Sequence, residues 1–241
     1  MNPRIALATA MRVLRQVVSD RRTMALLLVV PNVLIGLVAW LYSGSDVFQQ
    51  IGPAMLALFP FIVMFMVASI TTLRERRSGT LERLLAMPMN RIDYILGYAI
   101  ALALLAALQT VVASLVAIYA YGLDIEGSFA MLVMTAVSAA VLGATLGLLA
   151  SAFAASEFQV AQFMPALIIP QILLGGLLMP RESMPAALHV LSDYLPLTHA
   201  IEAVDRAARA ADGVGFHIGV VIVFVFAAIL LGALTLRRQT P

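Results

Sequence analysis

Charged side chains divide the chain into six long uncharged stretches. They run over 23–45, 47–73, 94–123, 127–156, 158–180 and 213–236, which is 23, 27, 30, 30, 23 and 24 residues. Each exceeds the roughly 20 residues an α-helix needs to cross the hydrocarbon core of a bilayer. Within them the pattern predicts helices at about 24–43, 52–73, 95–121, 128–152, 158–179 and 214–236. The segment 181–212 breaks the pattern, with Arg181, Glu182, Asp193, Glu202, Asp205, Arg206, Arg209, Asp212 and two prolines, Pro185 and Pro196. Its apolar pieces are too short to cross, and one or two interfacial or re-entrant helices fit it instead. The expected fold is an all-α integral membrane protein of six spans, a single transmembrane domain over 1–241.

Composition agrees with lipid as part of the solvent. Of the 241 residues 62% are hydrophobic and 12% charged, with a mean hydropathy of +1.00. Soluble domains are nearer half apolar and a quarter charged. There is no cysteine, which excludes disulfides, thiolate metal sites and thiol nucleophiles. Lysine is also missing, so all fifteen basic residues are arginine. That removes Schiff-base chemistry at a lysine and the phosphate-binding lysine of a P-loop.

The arginines sort by membrane side. With six spans both termini share a side with the loops 74–93 and 153–157. That side holds Arg4, Arg12, Arg15, Arg21, Arg22, Arg74, Arg76, Arg77, Arg83, Arg91, Arg237 and Arg238, twelve of the fifteen. The other side holds three arginines and eight acids, among them Asp46, Asp124 and Glu126. The positive-inside rule places both termini in the cytoplasm, and the lysine-free, arginine- and alanine-rich usage points to a GC-rich bacterial genome, hence to a bacterial cytoplasmic (inner) membrane. Membrane topology explains the net charge of +2 without any nucleic-acid partner. No cleaved signal peptide is expected, because the first apolar run starts near Met24 and no small-x-small site follows Leu41-Tyr42-Ser43.

Two segments are neither span nor tight loop. Residues 4–22 read as an amphipathic helix, with Arg4, Arg12, Arg15, Ser19 and Arg22 on one side and Ala6, Leu7, Ala10, Val13, Leu14 and Val17 opposite. It serves either as a topology anchor on the headgroups or as a grip on a partner. Between spans two and three, Ser78, Gly79 or Thr80 can cap a helix whose first turn carries Glu82. Leu81, Leu84, Leu85 and Pro88 follow the i, i+3, i+4, i+7 spacing, and Pro88 stops it. This two-turn helix has an apolar face too small for a core, so it needs lipid or another protein.

Here a resemblance begins. Glu75-Arg76-x-x-Gly79-Thr80-x-Glu82-x-Leu84-Leu85-x-x-Pro88 resembles the cytoplasmic coupling segment of type-2 ATP-binding-cassette exporter permeases, in a multidrug- and antibiotic-resistance-like subgroup. Further on, Glu157-x-x-x-Ala161-Gln162, then Gly176-x-x-x-Pro180-x-Glu182-x-Met184-Pro185, then Tyr194-Leu195-Pro196-Leu197-Thr198-His199-x-x-Glu202-Ala203 resemble that family's fifth helix and external hairpin. Gly175-Gly176 and Gly97-Tyr98 depart from its usual Ser-Gly and Gly-Lys.

The resemblance implies a permease subunit that binds no cofactor itself. Two permeases, a second copy or a related chain, would rest on two cytoplasmic ATPase subunits that bind ATP and Mg. Glu75, Arg76, Gly79, Thr80, Glu82, Leu85 and Pro88 would contact the ATPase, or else hold two spans at their angle as a connector. Pro180, Glu182, Pro185 and Pro196 would shape the external hairpin. A chain without lysine has no standard Walker A motif, so the energy would come from another polypeptide.

The spans carry no mid-membrane charge, which argues against ion-coupled transport and suits an amphipathic or lipid-like substrate. Ala139, Gly143, Gly147 and Ser151 form a four-residue stripe for close helix packing, within the chain or at a dimer seam. Pro53 and Pro60 in span two and Pro165 and Pro170 in span five are expected to bend helices that frame a pathway. Phe59, Phe61, Phe65, Gln162, Phe163 and Gln171 are the candidates for its lining. The outer cluster His189, Asp193, His199, Glu202 and Asp205 suggests a metal site or a general base, but with no HExxH or GxSxG motif it reads better as the solvated side of the hairpin. No catalytic residue and no metal ligand is assigned. A passive channel or structural subunit is the rival class, separable by dependence on a partner ATPase, and export of a glycan or lipid-linked glycan is the alternative within the exporter reading.

Overall fold

In the computed structural model of the chain, residues 3–78, 91–177, 179 and 181–235 are described. Among them every regular element is helical: α1 (Pro3–Ser19), α2 (Arg21–Leu41), α3 (Val47–Arg77), α4 (Arg91–Tyr119), α5 (Phe129–Ser151), α6 (Glu157–Leu174), a 3₁₀ turn (Arg181–Ser183), α7 (Ala186–Asp193), α8 (Pro196–Ala208) and α9 (Val214–Thr235). Six of them, α2 to α6 and α9, are long and apolar enough to cross a membrane. Their order matches the six expected spans, with shifts at the ends; the second starts at Val47, five residues early, and the third at Arg91, four early. The second span extends past its uncharged core to Arg77, because helix geometry continues until Ser78 closes the last turn. The fifth ends at Leu174, five residues early, where Gly175 and Gly176 follow and Gly176 takes φ of +85°. That left-handed backbone is one that only glycine adopts cheaply.

Local chemistry sets the boundaries. Asp20 separates α1 from α2 and caps α2, accepting from the N–H groups of Arg22 (3.0 Å) and Thr23 (3.4 Å). The hydroxyl of Thr23 also donates to it at 2.7 Å, and this bond is the main reason its carboxyl is held below the usual aspartate value. Ser128 caps α5 and Ser156 caps α6 in the same way. Pro196 opens α8 at its first turn, where a missing N–H costs nothing.

The centre of the bundle is α3 against α5, with α4, α8 and α9 also packed on α5. Glycine makes the central contact possible. A Cβ on Gly143 would land on the carbonyl oxygen of Phe61, and one on Gly147 on that of Phe65. Ala139 and Ser151 continue the stripe, buried. Such close approach supplies the van der Waals contact that holds membrane helices together where lipid removes any hydrophobic drive between them.

The amphipathic helix α1 lies along α4. Ala6, Thr9, Ala10, Val13 and Val17 are its buried face, while Leu7 is 62% exposed. The expected apolar face is therefore rotated toward α4. Gly97 explains this, since a Cβ there would strike Thr9 and the carbonyl of Ala6.

In 180–212 the outcome is a hairpin of unequal arms. Helix α7 is largely exposed, whereas α8 buries ten of its thirteen residues against α3, α5 and α9. The loop before α5 also closes on it, as Glu126 and Gly127 donate to the carbonyl of Ala208 at 2.8 and 2.9 Å.

Candidate functional site

The last turn of α3 leads directly into the segment 79–90, and three consecutive side chains there reach four different helices. Arg74 pairs with Glu157 at the start of α6, Nε to Oε1 2.7 Å and Nη2 to Oε2 3.3 Å, at an exposed position. Glu75 points inward and is 4% exposed. One carboxylate oxygen accepts from Arg12 of α1, and the other accepts from the hydroxyl of Tyr94 in α4 at 2.9 Å. Arg76 donates to the backbone carbonyl of Ser151, the last residue of α5. Alternation around the helix explains the division of targets, since successive residues point about 100° apart.

Burial gives these bonds unequal weight. The Arg74–Glu157 pair sits in solvent-accessible space, where such pairs contribute about 0–1 kcal/mol. Glu75 is buried, so removing its ionic partner Arg12 leaves the acid short of a counter-charge, at a cost of about 3–5 kcal/mol. The structure thus makes Glu75 a bracket for α1, α3 and α4. Arg12, expected on the polar side of the amphipathic helix, instead turns into this bracket. Neither Arg12 nor Tyr94 was a candidate from sequence. The one available signal was an acid among five arginines, which asks for a partner. Gly79, Thr80, Glu82, Leu85 and Pro88 lie outside the described residues, as do Pro180 and the side chain of Glu182.

The six lining candidates fall on different surfaces. Phe61 and Phe65 are buried where α3 meets α5, so they fill the bundle rather than a channel wall. Gln171 is buried too, its Nε2 donating to the carbonyl of Leu167 (2.9 Å) and its Oε1 accepting from the N–H of Leu197 (3.2 Å). It ties α6 to the head of α8. Phe59 and Phe163 are partly buried. Gln162 alone of the six is exposed, on α6 beside Ala161 and near Pro165.

At the opposite end, charges hold the hairpin in place. Arg181 pairs with Asp193 and donates to Ser192 at 3.0 Å, while Arg206 bonds Glu202 (3.1 Å) and the carbonyl of Asp212 (2.9 Å). Pro185 precedes α7 and Pro196 begins α8. His199, expected on a solvated face, is 6% exposed and contacts His217 of α9. Its side of α8 faces the bundle because α8 packs on three helices at once.

A six-span helical bundle with a helical hairpin between the fifth and sixth spans and a side-chain joint at the end of the second defines a multi-pass membrane protein. The family model described as ABC-2 type transporter matches residues 6–207, and the chain belongs to that family. It is 28% identical over 174 residues to ABC transporter G family member 20 of Dictyostelium discoideum, covering 72% of this chain and 24% of that protein. It is 29% identical over 160 residues to the probable multidrug ABC transporter permease YbhR of Escherichia coli (strain K12), covering 66% of this chain and 44% of that protein. The chain thus matches less than half the length of either relative. The family establishes it as a membrane component of an ABC transporter.

Proposed function

We propose that the chain is the permease subunit of an ATP-driven exporter, carrying a hydrophobic or amphipathic substrate such as a drug, antibiotic or lipid across the bacterial cytoplasmic membrane. The arginine-rich end, with both termini, faces the cytoplasm. Two permeases assemble around the pathway, and two ATPase subunits dock on the coupling segments 74–91. ATP and Mg act through those subunits, and this chain itself hydrolyses nothing. Residues 180–212 form the external hairpin.

The observation that carries this reading is the joint at Arg74-Glu75-Arg76. A displacement of 79–90 reaches α3 through the backbone and α1, α4, α5 and α6 through those three side chains. A passive channel has no use for a helix end tied by three consecutive side chains to four other helices. The open surface of α6, with Gln162 and two prolines, is the second support, since an amide facing lipid is poorly placed and one facing a pathway or second permease is not.

The test is purification of the tagged chain in mild detergent from native membranes. An ATPase of the cassette type is expected with it. Glu75→Ala leaves the half-buried Arg12 and the hydroxyl of Tyr94 without their partner and is expected to lower unfolding stability by about 1–3 kcal/mol and to uncouple ATP hydrolysis from transport. Glu75→Gln keeps the shape and the acceptor for Tyr94 and loses less. Absence of any nucleotide-binding subunit, with transport unaffected by both changes, overturns the reading.

A further inference from the structure

His199 and His217 lie buried, 6% and 8% exposed, with their Nδ1 atoms 3.0 Å apart. They join α8 to the first turn of α9. The other nitrogen of His199, Nε2, is 2.9 Å from the carbonyl oxygen of Asp193, the last residue of α7. A carbonyl only accepts, so Nε2 of His199 carries a hydrogen. A neutral His199 then has a bare Nδ1, and His217 must donate from its own Nδ1. One ring therefore ties together the ends of α7, α8 and α9, and it does so in one tautomeric arrangement. Phe216 closes over both rings edge-on, with centroids 6.1 Å from His199 and 5.3 Å from His217.

We propose that the His199–His217 pair is a proton-sensitive latch that fastens the α7–α8 hairpin to α9. One added proton can be held, because a charged His199 still donates from Nδ1 once His217 shifts its hydrogen to Nε2. A second proton leaves two N–H donors and two positive charges facing each other at 3.0 Å, with no acceptor between them, and the rings must part. Groups around the pair add to the count. Arg181 of the 3₁₀ turn, Arg206 and Glu202 of α8, and His189 and Asp193 of α7 are the charged and titratable groups of the surrounding hairpin. Helices α5 and α9 bring no charged residue, and those of α3 lie at its opposite end.

The sign follows from proton counting. The open hairpin takes up more protons than the latched one, so latching is complete at higher pH and is lost as pH falls. Each additional proton taken up adds about a tenfold change in the equilibrium per pH unit. What opens is the hinge at Asp193–Pro196, since α8 stays buried along the rest of its length. The latch does not depend on what the chain transports.

Hydrogen exchange in the full chain in lipid nanodiscs tests it. The expected result, after correction for intrinsic rates, is a loss of amide protection over residues 193–201 between about pH 7.5 and 5. His217→Phe keeps an aromatic ring but takes no proton, and it is expected to flatten that pH step. A wild-type chain with no step, or a variant that retains it, overturns the latch. Nitrogen-15 spectra of histidine-labelled wild type need no variant. Both rings must be neutral at the higher pH, with His199 carrying its hydrogen on Nε2, and both must be charged where protection is lost. Rings that stay neutral through the step overturn it equally.

Discussion

Helices α6 and α9 both leave most of their surface open, with 17% and 11% of their most apolar stretches buried, against 72% for α3. Their open surfaces differ in kind. On α9 the exposed side chains include Phe216, Val223, Phe226, Leu230 and Leu234, and it is the most apolar of the six spans. On α6 they include Gln162 with Pro165 and Pro170, and it is the least apolar. Exposure in a single chain therefore has two meanings in a membrane. A surface as apolar as lipid tails is finished as it stands. A surface that carries an amide and proline-freed carbonyls still has hydrogen bonds to satisfy, which lipid cannot do. On the proposed function, α9 faces the bilayer and α6 faces the second permease and the pathway between them.

The absence of cysteine makes the sharpest test clean. A lone cysteine at Gln162 or Leu167 of α6 is expected to form cross-linked dimers in native membranes, and one at Val223 of α9 to stay monomeric. A disulfide requires Cα atoms within about 7 Å, so the outcome is close to all-or-none. Dimers through Val223 alone reverse the assignment. The next effect is energetic. Val223→Arg places a charge in the middle of the lipid-facing surface and is expected to lower membrane insertion by about 2.5–3.5 kcal/mol, read from the inserted fraction in an in vitro translocation assay. Insertion as efficient as wild type means that α9 borders water or protein. The smallest effect concerns the covered face. Gly143→Ala pushes a methyl group into the Phe61 carbonyl and is expected to cost about 1–3 kcal/mol in unfolding by SDS titration, without altering the Gln162 cross-link. A changed cross-link with unchanged stability means that the small-residue stripe serves the dimer seam instead.

Much of the fold was legible because spans depend on a one-dimensional property. An uncharged run of sufficient length crosses whatever it later packs on, so six spans and their order followed from charge spacing alone. The ends were less legible. Helix α3 runs through Arg74-Glu75-Arg76-Arg77 because each of the first three side chains finds a partner on another helix, which no local pattern encodes. The polar stripe of residues 4–22 was read as one surface, yet Arg12 leaves it for Glu75. Among the lining candidates, Phe61, Phe65 and Gln171 could not be told from Gln162, because hydropathy says what a side chain resembles and not which helix covers it.

Residue order alone shows that this protein belongs in a membrane, how many apolar spans it has, which loops gather the arginines, and that its motifs align with the ABC-2 permeases. These rest on composition, run length and residue order, all independent of contact. Only the tertiary structure decided that α8 is buried while the more apolar α9 is open, that Glu75 is a bracket for three helices, and that His199 meets His217 across eighteen residues of chain. The reason is physical. Lipid rewards every apolar surface alike, so in a bilayer the choice of neighbour is made by small-residue fit and by hydrogen bonds, and both are properties of two helices rather than of one.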